Sequence, residues 1–206
     1  YDNGLSGYGQ TDIPLAVADK LLGRNGALLY DFLDHDGHLG NIMTVNGKVQ
    51  PVLHVDRRKY RFRILAGGNS RVWAFRLSRG TFITIGNDSS LLPVAIEERI
   101  ITLAPGQRAD VVVDFSRYGR GEEVFLENVM EQDEGRGPEK IDTRNPTPLL
   151  KFIVDGPAVG PGNDASVEPG TPLRPHRPIR EEEIVTTRHF EFERQNGAWK
   201  INQLFF

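Results

Sequence analysis

Histidine is the side chain in this sequence best suited to holding a metal, and there are five: His35, His38, His54, His176 and His189. His35 and His38 stand three apart in the run Asp34-His35-Asp36-Gly37-His38, where a turn could aim both imidazoles at one ion. A copper centre needs convergent imidazoles, often with Cys or Met. The chain has no cysteine and no His-x-His pair, and Met43 and Met130 are isolated, as expected of side chains that fill gaps. His35 and His38 are therefore the metal candidates, set against the plainer reading of two imidazoles on a solvated loop. Asp34 and Asp36 beside them make a carboxylate–imidazole grouping of the kind used in acid–base catalysis, but nothing around them marks a pocket.

Other chemistries find less support. Ser70 and Ser89-Ser90 lack a G-x-S-x-G context. Neither a G-x-G-x-x-G fingerprint nor a P-loop is present. Arg57-Arg58-Lys59 reads as a solvated turn and Glu181-Glu182-Glu183 as the lead-in to a strand. A net charge of -3 gives no pull toward nucleic acid. No apolar run approaches the roughly 20 residues a membrane helix needs. The opening Tyr-Asp-Asn-Gly is neither an initiator Met nor a signal peptide, which is expected of a processed, cleaved or excised piece.

The elements that would position these residues are short strands. At 206 residues the chain can bury one sizeable core. Residues 1–10 read as a linker end. Ile13, Leu15 and Val17 share the parity of a half-buried strand, and Leu28–Phe32 predicts another short one. Asn46-Gly47 predicts a hairpin joining Ile42–Val45 to Lys48–Val55, and Asn196-Gly197 a second one, because both residues tolerate positive φ. In Tyr60–Leu65 the residues Tyr60, Phe62 and Ile64 point one way. Arg61 and Arg63, with Arg71 and Arg76 further on, have exposed-face parity. Trp73–Leu77, Thr81–Ile85, Leu91–Ile96, Arg99–Leu103, Glu123–Asn128 and Leu149–Val154 complete the set. Ala109–Phe115 is nearly continuously apolar, as in a strand buried on both faces, and Arg108 and Asp110 predict a local ion pair that pins its turn. Residues 130–148 read as a long loop. Residues 156–180, rich in Pro and Gly, read as a linker, and 181–206 as a terminal β-hairpin. Short strands at roughly 8–12-residue spacing without a long amphipathic helix indicate an antiparallel sandwich or barrel.

Several blocks, in order, resemble bacterial multicopper oxidases of the laccase, spore-coat and bilirubin-oxidase group. They are Asp12-Ile13-Pro14-Leu15…Asp19, Val45-Asn46-Gly47-Lys48, Arg58-Lys59-Tyr60-Arg61-Phe62-Arg63-Ile64-Leu65…Asn69-Ser70-Arg71, Ile85-Gly86-Asn87-Asp88…Leu91-Leu92-Pro93, and Leu103-Ala104-Pro105-Gly106-Gln107-Arg108-Ala109-Asp110. The resemblance covers nearly the whole chain. It implies an all-β, Greek-key, cupredoxin-like sandwich at 11–155, matching the family's second domain, with 181–206 opening a third domain that is otherwise missing. In that family the His-rich copper-ligand motifs lie in the first and third domains. The middle domain lends loops to the rim of the substrate site. By position those loops are Asp34–Gly40, Asn69–Arg71 and Asn128–Gly137. The rim candidates are therefore His35, Asp36, His38, Asn69, Arg71, Asn128 and Glu131, with no catalytic residue among them.

The function implied is that of a structural central domain. The parent enzyme would use copper to take electrons from phenolic or pigment-like donors and reduce dioxygen to water, while this chain alone would bind no copper and be inactive. Its partners would be the first and third cupredoxin domains, supplied by the same parent or a separate chain. The family suggests a secreted, periplasmic or spore-coat location. The alternative is a copper-free cupredoxin scaffold or binding module.

Overall fold

The structure, a computed structural model, describes residues 11–33, 36–160 and 167–205. Residues 1–10, read above as a linker end, lie outside it. Two compact units divide the chain, one running to Arg174 and the other from Pro175 onward. The first unit carries β1 (Asp12–Lys20), β2 (Ile42–Val45), β3 (Val52–Arg57), β4 (Lys59–Ala66), β5 (Trp73–Leu77), β6 (Phe82–Asn87), β7 (Leu91–Glu98), β8 (Ile100–Leu103), β9 (Arg108–Asp114), β10 (Glu122–Asn128), β11 (Met130–Glu131), β12 (Lys140–Ile141) and β13 (Thr147–Ala158). They form a six-stranded sheet, β2-β1-β4-β9-β6-β7, a five-stranded sheet, β3-β13-β10-β5-β8, and the small pair β11-β12. Most pairings are antiparallel, but β1 runs parallel to β4 and β3 parallel to β13. This is the sandwich that the strand pattern implied, in the all-β, Greek-key, cupredoxin-like form that the resemblance implied.

The alternation in β4 explains the core. Tyr60, Phe62 and Ile64 face inward with Ala109, Val111 and Val113 of β9, packing with residues of the other sheet such as Phe75 and Phe152. Phe62 and Phe152 sit 5.3 Å apart between ring centres, and Phe115 lies 5.1 Å from Phe152 and 6.4 Å from Phe62. Burying each such ring contributes about 1.5–3 kcal/mol, and a well-placed aromatic pair adds about 0.5–1.5 kcal/mol.

β9 is covered on both faces, as its apolar run requires. Val112, on the outer side, joins Ile83, Ile85, Ala95 and Val167 in a second apolar cluster. Val167 comes from the Pro/Gly-rich stretch read as a linker. Part of that stretch is instead a strap along the edge strand β7. Gly170 N donates to Ala95 O at 2.8 Å, Ala95 N to Thr171 O at 2.9 Å and Leu173 N to Pro93 O at 2.9 Å. Glu168 of the strap pairs with Lys59, which is buried. Pro172 bridges to Val94 at the sheet edge, where its missing N–H is tolerated.

Four local readings are corrected. Arg61 and Arg71 are buried and Arg76 is half-buried, because acids of the same unit answer them. Arg61 Nε donates to Asp110 Oδ1 at 2.8 Å while Nη2 pairs with Oδ2, and Arg76 binds Glu127 at 2.6 Å. Asp110 is thus the partner of Arg61 across β4 and β9, and Arg108 turns instead to Asp88. The Asn46-Gly47 turn forms, but β2 pairs with β1, and β3 leaves for the other sheet. Leu28–Phe32 forms no strand. Leu28 makes a single bridge to Leu22, Leu29 N donates to Leu21 O at 2.9 Å, and the side chains of Leu28, Leu29, Tyr30 and Phe32 are exposed.

The second unit opens with a 3₁₀ turn at Glu181–Glu183, followed by β14 (Phe192–Gln195), β15 (Ala198–Ile201) and β16 (Leu204–Phe205) in one antiparallel sheet. Asn196 and Gly197 take φ of 52° and 80°, as a type I′ hairpin demands. A third strand adds to the predicted pair through a like turn at Asn202-Gln203.

The outer face of the six-stranded sheet has a pH-dependent contribution. Burial pushes the Asp12 carboxyl up, but the Arg63 hydrogen bond and the Arg61 and Arg63 charges outweigh it and hold it below the usual range. A depressed carboxylate stabilises the fold above its unfolded pKa, and that stability is lost as pH falls through the folded value. We expect wild type to be more stable than Asp12→Asn at neutral pH and to lose that margin below about pH 4, measured by urea unfolding across pH.

Candidate functional site

The loop cluster near the end of β1 is built around a buried charge. Leu15 and Val17 face the core, and Asp19 continues their parity inward, its side chain only 2% exposed. A carboxylate there must be paired and hydrogen-bonded. Arg71, just before β5, supplies the charge through Nε at 2.9 Å, and Gly40 N donates to the same oxygen at 2.6 Å. Arg71 Nη2 then donates to Gly40 O at 3.1 Å, and its guanidinium lies over the Trp73 ring. Gly40 is required by space: a Cβ there would run into the backbone nitrogen of Lys20.

Two neighbouring loops close onto this pair. His38 N donates to Ser70 Oγ at 2.9 Å. Gln132, also buried, accepts from Val72 N at 2.8 Å and donates to Ser70 O and Glu134 O at 3.2 and 2.9 Å. Gly37 and Gly135 meet backbone to backbone, where a Cβ on Gly135 would collide with the Gly37 main chain. Arg136 binds Asp36 at 2.6 Å beside that contact. The described parts of the three predicted rim loops therefore converge.

They border two clefts. One, of about 430 Å³, is lined by Met43, Arg71, Met130, Glu131, Lys140 and Asn145 among others. A smaller one of about 100 Å³ is lined by Asp19, Leu29, Tyr30, His38 and Asn69 among others. The Asp19–Arg71 pair stands between them, one partner lining each.

Of the predicted rim residues, Arg71, Asn128 and Glu131 line the larger cleft and His38 and Asn69 the smaller. Asp36 is engaged with Arg136 and lines neither, and His35 lies outside the described residues. Asn128 is buried and spends its amide on backbone: Oδ1 accepts from Ala74 N and Met130 N, and Nδ2 donates to Met130 O. It shapes the loop and leaves ligand contact to its neighbours. Glu131 pairs with Lys140 at 3.2 Å, and that hydrogen bond raises the lysine above its ordinary value. Gln132 and Lys140 are not singled out by the sequence, and Asp19 is named only within a family-like block, not as a site residue. The parity of β1, continued by one step, would have pointed to Asp19.

The clefts offer hydrogen-bond donors, acceptors and both charges. Among the described residues no group of three His, Cys, Asp or Glu side chains is placed to hold a metal. The His38 ring lies 5.0 Å from Tyr30 and its backbone is tied to Ser70. His35, the other half of the candidate pair, lies outside the described residues.

No family model matches the chain. A laccase from Bacillus stratosphericus is 32% identical over 194 residues, covering 85% of this chain and 37% of the laccase. The cell division protein FtsP of Pectobacterium atrosepticum is 35% identical over 161 residues, covering 72% of this chain and 34% of FtsP. Among solved structures, the McoA multicopper oxidase of Aquifex aeolicus superposes with a TM-score of 0.79 at 28% identity, over 96% of this chain and 41% of McoA. The chain thus spans well under half the length of these relatives.

Two substitutions test the construction. Asp19→Asn leaves Arg71 buried with its charge uncompensated and should cost about 3–5 kcal/mol in urea unfolding. Gly135→Ala should part the two loops while sparing the core. Hydrogen exchange at His38 N should then quicken with protection in β4 and β9 unchanged.

Proposed function

The chain belongs to the multicopper oxidase family, and on that premise we propose that it is the family's structural central domain, lending loops to the rim of a substrate site. The observation that carries this reading is the convergence of residues 36–40, 69–71 and 128–137 on the Asp19–Arg71 pair. Those are the segments that the family resemblance assigns to the rim. A rim must hold its shape against an incoming molecule, and here each loop is held by hydrogen bonds between side chains and backbone, glycine contacts or a buried ion pair.

The division of labour follows from the donor chemistry. Copper in the parent would supply the one-electron steps by which phenolic or pigment-like donors are oxidised and dioxygen is reduced to water. Its ligands would come from the first and third cupredoxin domains, carried by the same parent or by a partner chain. Residues of this chain would bind and orient. Arg71, Glu131, Lys140 and Asn145 present charges and hydrogen-bonding groups to the larger cleft, and Tyr30 and His38 offer ring faces to the smaller. The sheet of the second unit would open the third domain.

A copper-free scaffold or binding module is the second reading, favoured by the relative named as a cell division protein. Both readings are tested with the purified 206-residue chain and with the longer protein that contains it. We expect no stoichiometric copper and no turnover of a phenol by the chain alone, and copper-dependent oxidation by the longer protein. Type 1 copper or turnover in the chain alone would sink the first expectation. A longer protein that binds no copper would favour the scaffold.

A further inference from the structure

Among the described residues, three asparagines open two-residue turns with positive φ: Asn46 at 50°, Asn196 at 52° and Asn202 at 50°. Two of them are braced in the same way by an adjoining segment. Asn46 N donates to Ala16 O at 2.9 Å, its Oδ1 accepts from Ala16 N at 2.8 Å, and its Nδ2 donates to Pro14 O at 2.9 Å. Asn202 repeats the pattern with Glu191 O, Glu191 N and His189 O at 2.9, 2.8 and 3.0 Å. In each, both ends of the side-chain amide are held by backbone. Asn196 is the exception: it is exposed, and its side chain makes no hydrogen bond to any described residue.

The difference matters because Asn46 and Asn196 are each followed by glycine, whereas Asn202 is followed by Gln203. Glycine has no Cβ to shield its backbone nitrogen, so in an Asn-Gly pair that nitrogen can reach the asparagine side chain once the chain leaves the turn conformation. We infer that Asn196 is a site of spontaneous deamidation and that its twin, Asn46, is protected by its brace. Gly197 N gives up its proton and attacks Asn196 Cγ. The Cγ–Nδ2 bond breaks, ammonia leaves, and a five-membered imide closes. Water, the one co-reactant, opens the imide to aspartate or to isoaspartate, in which the main chain runs through the former side chain.

The setting of each turn acts in the same direction as the bracing. Asn46 follows β2 of the six-stranded sheet and is held against β1, beside the large core. Asn196 joins β14 to β15 in a three-stranded sheet in which Phe192, Trp199 and Leu204 are exposed. A segment with few buried apolar side chains opens locally at lower cost than one packed on a large core. The two-residue turn sets the pairing of Arg194 with Trp199 and Glu193 with Lys200. An isoaspartate there lengthens the main chain by one carbon and adds a negative charge, so that pairing is lost. None of this depends on the function proposed above.

The test uses the full chain aged in mildly alkaline buffer, then digested and read by mass spectrometry at the peptides bearing Asn46 and Asn196. The same measurement is run in concentrated urea. In the folded chain, Asn196 should convert at least about tenfold faster than Asn46, a factor that one or two retained hydrogen bonds can enforce. In urea the two rates should converge, since the dipeptides are identical. Gly197→Ala should slow conversion at Asn196 and leave Asn46 unchanged. Equal rates in the folded chain, or a gap that persists in urea, would overturn the inference.

Discussion

An acid at a core-facing position of a strand has to be answered in place, and the answer organises its neighbourhood. Asp19 takes a hydrogen bond from Arg71 and another from Gly40 N. Those two contacts tie the end of β1 to the loop before β2 and to the loop before β5. Gly40 must then be glycine, and Arg71 must lie flat toward Trp73. Because such a pair repays its desolvation only when the geometry is good, the loops that carry it have little freedom. The two clefts inherit their positions from that restriction, since Asp19 borders one and Arg71 the other.

A similar economy of charge holds on the outer face of the six-stranded sheet. Arg61 and Arg63 turn to Asp12, and Arg61 also to Asp110, all within one sheet. Further along, the face becomes apolar at Val112 and Ile83, and the strap residues Val167 and Leu173 pack there. β9 can therefore be apolar on both sides at its centre while ending in charged residues. The strap also pairs with β7, which would otherwise present an open edge.

Much of this was legible from local pattern. Alternation in β4 identifies its core face, and the nearly continuous apolar run of β9 implies a second cover, which the strap supplies. Two of the Asn-Gly pairs, Asn46-Gly47 and Asn196-Gly197, mark the turns that the structure shows. What local pattern could not supply was partnership across the chain. Arg61 has the parity of an exposed side chain, and only the register that sets it near Asp110 explains its burial. Arg108 and Asp110, two apart, looked like natural partners, yet on a strand their register sends each elsewhere. Asn46-Gly47 predicted a hairpin from the turn alone, but β3 is drawn into the other sheet by β13, where Val52 pairs with the distant Lys151. The three loops proposed for the rim were picked out by resemblance. Their convergence through Ser70, Gln132 and the Gly37–Gly135 contact rests on long-range hydrogen bonds and on the absence of side chains, neither of which has a periodic signature.

The features that identify the family are therefore of a different kind from those that could perform chemistry. Turn glycines, apolar strand faces and charge pairs are dictated by the sandwich, and any chain with this fold must solve the same problems. A laccase and a cell division protein both match this chain over long stretches, at 32% and 35% identity. The scaffold alone thus does not select between such roles. Selection has to come from what the loops present to the clefts and from ligands held outside them. In this chain the loops are fixed by side-chain hydrogen bonds, glycine contacts and the buried ion pair, and among the described residues the side chains lining the clefts include Arg71, Lys140 paired with Glu131, Asn145, Tyr30 and His38. Such a set can orient a polar or aromatic molecule.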